Sequence, residues 1–217
     1  MTSCSVVRTR LLAAIVPLVL TPAAVGAQGG AKLPAGWKIR TDDPAQNAAT
    51  IEMADMPPGW HITTGDAHAI LWHPDSTATG NYRVEAEIFL FDPGTRREGF
   101  GFFFGGSELE GATQHYSYVL IRQDGRYTIK RRNGAEAPTV KPWTDHSAIR
   151  KWADRGDSPN IGNVLAVEVG PEDVVFLVNG AEVDRLPRAQ LDTSGIIGLR
   201  LSHGLNVHVS RLAIQKK

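Results

Sequence analysis

An all-β fold, two antiparallel sheets stacked as a sandwich in one domain, is what this sequence predicts, on three observations. About ten short β-prone runs are separated by Gly, Asn, Asp and Pro clusters. Two pairs of runs flank Asp124-Gly125 and Asn179-Gly180, the composition that two-residue hairpins with positive φ require. Nowhere do strand-like and helix-like segments alternate at the spacing of βαβ units. No internal repeat is visible, which argues against a propeller or a solenoid.

In chain order, the first element is an export signal. Arg8 and Arg10 precede the uncharged run Leu11 to Leu20, which is too short to cross a bilayer as a helix. Val25 and Ala27 put short side chains where signal peptidase inspects them, so cleavage is expected after Ala27 and residues 1–27 are lost. The mature protein is then secreted or periplasmic, with no membrane attachment. The sole cysteine, Cys4, leaves with the signal, which excludes disulfides and thiolate metal sites from the mature chain. Also lost are Arg8 and Arg10 but no acid, leaving 21 basic against 23 acidic residues. Such a balance gives no electrostatic reason to expect a nucleic acid partner.

Residues 28–36 are Gly- and Ala-rich and read as a flexible leader, with the domain over 37–217. Trp37–Arg40, Ala49–Met53, Trp60–Thr63 and His68–Trp72 read as opening strands. Asn81–Leu90 alternates cleanly, with Tyr82, Val84, Ala86, Ile88 and Leu90 on the core side and Arg83, Glu85 and Glu87 opposite. Gly99–Gly105 alternates phenylalanine with glycine, a pattern that lets another chain, a bulge or a ligand come close. Tyr116–Arg122 and Arg126–Lys130 form the first hairpin, Val174–Val178 and Glu182-Val183 the second. Gly195–Leu201 and Leu205–Ile214 close the chain. Ala135–Gly162 is the longest irregular stretch, with a short helical turn expected within Asp145–Trp152.

From about Gly80 to Ile214 these runs resemble the concanavalin A-like lectin/glucanase superfamily. The resemblance is carried by Asn81–Phe91, Gly99–Gly105, the Tyr116–Asn133 hairpin, Asn163–Val169 leading into Val175–Gly180, and Gly195–Leu199 with the final strand. It implies a jelly-roll sandwich, most similar to secreted laminin-G-like and 3-keto-disaccharide-hydrolase-like domains. Fold alone carries no chemistry, so function rests on particular residues.

The laminarinase type of glycanase in that superfamily places three carboxylates at alternate strand positions. Here Glu85 and Glu87 have that spacing, but Phe89 stands third, so no catalytic residue is assigned. If Val119 and Ile121 face the core, Tyr118, Leu120 and Arg122 face outward, and the sequence allows them to share a surface with Glu87. Aromatic rings beside fixed charges suit pyranose faces and hydroxyls, and cross-strand ion pairs beside packed tyrosines would read identically. Trp143, in the irregular stretch, is a candidate stacking residue. The candidate ligand-binding residues are therefore Glu85, Glu87, Tyr118, Arg122 and Trp143. Trp60 and Trp72 read as core.

His61, His68 and His73 converge only if their strands pair, and no spacing matches a zinc motif, so no metal site or cofactor is assigned. The loop acids Asp42, Asp43, Asp66 and Asp157 offer oxygens for a structural calcium without EF-hand spacing. Ser202-His203 forms no nucleophile elbow. The function expected is an exported carbohydrate-binding module. The alternatives are a glycoside-processing enzyme of the 3-keto-disaccharide-hydrolase-like group and a structural or protein-interaction sandwich.

Overall fold

The computed structural model describes Met1 and residues 32–217, so the expected signal over 1–27, Met1 apart, lies outside the described residues. Fourteen strands follow: β1 (Lys38–Thr41), β2 (Ile51–Asp55), β3 (Trp60–Thr64), β4 (Ala69–Ala78), β5 (Tyr82–Phe91), β6 (Phe100–Ser107) and β7 (His115–Arg122); then β8 (Arg126–Asn133), β9 (Thr139–Asp145), β10 (Asn160–Val169), β11 (Asp173–Val178), β12 (Ala181–Pro187), β13 (Gly195–Leu201) and β14 (Asn206–Lys216). They form two seven-stranded antiparallel sheets. The front sheet runs β1-β4-β13-β6-β7-β8-β9 and the back sheet β12-β11-β10-β5-β14-β3-β2.

Period-two alternation builds the interior. Along β5 the residues from Tyr82 to Leu90 alternate buried and half-buried, as expected. In the front sheet one inward rung is continuous across five strands, from Leu71 through Leu199, Phe102 and Val119 to Ile129. Phe104 meets Phe176 of the back sheet with ring centroids 6.2 Å apart, so the layers interdigitate. At Gly105 (φ +66°) a Cβ would lie 2.2 Å from the Asp192 carbonyl; the close neighbour that glycine admits there is the chain's own backbone.

The two hairpins differ. Val178 pairs with Ala181, so Asn179 (φ +50°) and Gly180 (φ +83°) make the two-residue turn that the sequence predicts. Arg122 pairs with Arg126, so Gln123, Asp124 and Gly125 make a three-residue loop instead, with the positive φ at Gly125. The irregular stretch also needs correction, because β9 occupies its first part and Trp143 therefore sits on an edge strand. The short helical turn falls at Trp152–Asp154. Lys32 bridges to Glu52 of β2 and Leu33 packs on the core, so the described end of the leader is docked.

Two buried phenols reach backbone carbonyls. Tyr82 donates to Thr193 at 2.9 Å and Tyr127 to Val183 at 2.8 Å. Burial raises the pKa of all four tyrosines in the chain, Tyr82, Tyr118 and Tyr127 upward and Tyr116 up to about 12. The unfolded chain loses these protons first, so the tyrosines' contribution to stability is intact below pH 10 and falls as the pH climbs beyond it. An ultraviolet titration is expected to show no tyrosinate near pH 10 in the folded protein and a cooperative rise only as the fold is lost. A phenol titrating at pH 10 with native circular dichroism would contradict this.

Candidate functional site

The outer face of the front sheet carries a second apolar cluster: Ile70, Trp72, Phe103, Leu109, Tyr116, Tyr118 and Leu120. Trp72 is thus buried, as expected, but outside the space between the sheets. The loop after β6 folds over part of this face. Arg40 holds it down by donating through Nη1 to the carbonyls of Leu109 (2.9 Å) and Gly111 (2.6 Å). Tyr116 is buried in the same cluster as Leu109 of that loop. Beyond it the face stays open as a groove of about 260 Å³, lined by Asp42, His68, Tyr118, Lys130, Trp143 and Arg200 among others.

Register explains the groove. Arg200 of β13, Gly101 of β6, Leu120 of β7 and Thr128 of β8 lie on one rung, and Phe103, Tyr118 and Lys130 on the next. Gly101, between Arg200 and Leu120 on that rung, lets the neighbouring strand come close, since a Cβ there would lie 2.2 Å from the Val119 carbonyl oxygen. Edge strand β9 adds the Trp143 indole as a wall, packed so near Gly99 that a Cβ there would come within 3.0 Å of the ring.

Arg200 is the central charge. Its side chain is 7% exposed, it pairs through Nη2 with Asp42, and its guanidinium lies 5.5 Å from the Tyr118 ring centroid. Nε and Nη1 have no acceptor among the described residues. A buried guanidinium with donors to spare is costly unless something accepts from it. Asp42 also faces Arg132 at 3.8 Å. Lys130 is half-buried and makes no ion pair with any described residue. Burial, then Arg200 and His203, push the His68 imidazole below its ordinary pKa, against an opposite pull from Asp42 and Glu98.

The five residues expected from sequence divide between the two sheets. Tyr118, Arg122 and Trp143 share the front face, with Arg122 stacked over the Trp143 ring at 4.7 Å and bonded to Asp124 at 2.7 Å. Glu85 and Glu87 do not join them: β5 belongs to the back sheet, and both carboxylates point from its outer face. There Glu85 is held by Arg83 and Arg211, and Glu87 accepts from Ser210. They line a separate charged groove of about 410 Å³ with Arg83, Arg150 and Arg211.

His61, His68 and His73 do not converge either: β3 carries His61 in the back sheet, and the extended run of β4 in the front sheet separates His73 from His68 at its start. His61 sits by His208, with ring centroids 6.3 Å apart, and His73 by Trp37 at 6.5 Å. His68 meets His203, Nε2 to Nδ1 at 3.0 Å. Sequence reasoning misses Arg200 and His203 as site residues and names Asp42 only as a loop oxygen for calcium. The available signal was Arg200 standing between Leu199 and Leu201 in an otherwise apolar strand.

With this geometry in view, the solved structures most similar to the chain include the carbohydrate-binding module CBM66 from Bacillus subtilis, at TM-score 0.58 and 12% identity over 83% of this chain and 96% of that one. The fold is a concanavalin A-like jelly roll. A Bacillus subtilis protein of unknown function with a galectin-like fold has the same jelly roll at TM-score 0.56 and 11% identity, over 83% and 89% of the two chains. So does a Bacteroides ovatus mixed-linkage glucan GH16 in complex with a G4G4G3G product, at TM-score 0.56 and 8% identity over 82% and 94%. No protein-family model matches the sequence, and no curated protein is similar to it in sequence.

Proposed function

We propose that the chain is an exported carbohydrate-binding module that holds a short glycan segment in the front-sheet groove. One observation carries this: the half-buried Trp143 indole walls an open groove floored by Tyr118 and Arg200, with Lys130 beside them free of ion pairs among the described residues. Aromatic faces take the apolar side of a pyranose, and fixed cationic donors take its hydroxyls. Export rests on the Arg8/Arg10 and Leu11–Leu20 pattern. The fold neighbours support the reading by architecture alone.

Screening the purified protein on neutral plant and microbial glycans, then measuring hits by calorimetry, tests the proposal. The wild type is expected to bind a subset, and Trp143→Ala to weaken binding about tenfold, roughly 1.4 kcal/mol. Glu85→Gln and Glu87→Gln, on the other sheet, are expected to leave affinity unchanged. Silence of the wild type across the panel would remove the proposal.

A further inference from the structure

Three loops at one edge of the groove bring together groups that the glycan reading does not use. His68 precedes β4, Glu98 precedes β6 and His203 follows β13, and one ligand atom of each lies within 4.8 Å of the other two. His203 Nδ1 is 3.0 Å from His68 Nε2 and 3.5 Å from a Glu98 carboxylate oxygen. The two rings cross at 77° with centroids 4.7 Å apart. Among the described residues these three form the one such group of histidines and acids.

We propose that His68, Glu98 and His203 are a three-ligand site for a divalent first-row transition ion of the zinc type. The observed separations suit it. Around an ion with bonds of about 2.0–2.1 Å, the edge of a coordination tetrahedron is about 3.3 Å, between the two distances seen here. Proton counting points the same way. His203 Nδ1 carries at most one hydrogen yet faces both the His68 nitrogen and the Glu98 carboxylate, so without an ion only one of the two contacts is met by a directed hydrogen bond. A cation at the centre takes all three lone pairs.

The frame is fixed without help from the ligand side chains. Gly204 N donates to the Gly65 carbonyl at 2.7 Å, Ser202 N to Gly99 at 3.0 Å, and Asp42 N to His68 at 2.9 Å. Buried Thr64 clamps the third loop, donating to the Ser202 carbonyl at 2.7 Å and accepting from Leu205 N at 2.8 Å. Preorganised donors lower the cost of binding. Two imidazoles and a carboxylate are a donor set for zinc and its neighbours, whereas calcium takes six to eight oxygens. The ligands are only half-buried, leaving room for a water or an oxygen of a bound molecule to complete the shell. His68 also lines the groove, so the ion sits at its edge. The site stands whether or not the groove takes a glycan.

Untagged protein stripped with a chelator and titrated calorimetrically with zinc is expected to take one ion per chain at micromolar concentration. His203→Ala and Glu98→Gln are expected to weaken uptake at least tenfold. Glu98→Gln keeps side-chain shape, so it decides the matter if His203→Ala fails to fold. Cobalt(II) in place of zinc is expected to give the intense visible absorption of a four-coordinate ion. No zinc uptake by the wild type, uptake of calcium alone, or unchanged uptake in the correctly folded variants would overturn the proposal.

Discussion

Replacing Arg200 with methionine is expected to cost the fold about 3 kcal/mol and to abolish glycan binding. The guanidinium is nearly buried and its partner Asp42 is 27% exposed, so removing the cation strands a partly desolvated carboxylate that only Arg132, at 3.8 Å, still faces. Breaking a buried pair from one side costs about 3–5 kcal/mol, and the residual exposure of Asp42 places this case at the low end. Removing both charges is a different matter, since buried pairs replaced by apolar groups are often neutral. The double variant Asp42→Ala/Arg200→Met is therefore expected to recover most of the stability in urea titrations while remaining unable to bind. A single variant as stable as the wild type would show that the pair is solvated, and a double variant that binds normally would remove Arg200 from the site.

Asn179→Ala is expected to lose about 3 kcal/mol by the same measurement. Its side chain accepts from Val164 N at 2.9 Å and donates to the Ala148 carbonyl at 2.7 Å and to Asn163 Oδ1 at 2.8 Å. Asn163 in turn accepts from Arg150 N at 2.9 Å. One turn residue thereby pins the segment around Ile149, a core residue, against β10. Alanine leaves buried groups unpaired and also sits poorly at φ +50°. Asn179→Gly restores the backbone but not the bonds, so it is expected to lie between alanine and wild type. If glycine matches the wild type, the side-chain bonds contribute nothing.

Much of this was legible along single strands. The alternation of β5 names its buried face, and of the two orientations that alternation leaves open for β7 the structure takes the one with Val119 and Ile121 inward and Tyr118, Leu120 and Arg122 outward. Asn179-Gly180 announced its turn because left-handed backbone restricts residue choice so strongly. Alternation tells inside from outside, but not which of two sheets a strand joins. That is why Glu85 and Glu87 were grouped with Tyr118 although they emerge on the opposite side of the sandwich. The same gap grouped His61 with His68. The real partner, His203, is 135 residues away, and the pairing of β13 with β4, Leu201 opposite Ala69, brings it near. The Asp124-Gly125 loop was misjudged by one residue, since the dipeptide fixes the positive φ but leaves the count of loop residues open.

Amide and side-chain NMR shifts recorded during titration with the best-binding glycan locate the ligand most directly. Signals from Tyr118, Lys130, Trp143 and Arg200 are expected to move together and saturably, while those of Glu85, Glu87 and Asn179 stay still. Shifts confined to the back sheet, or none beside the Trp143 indole, would contradict the account.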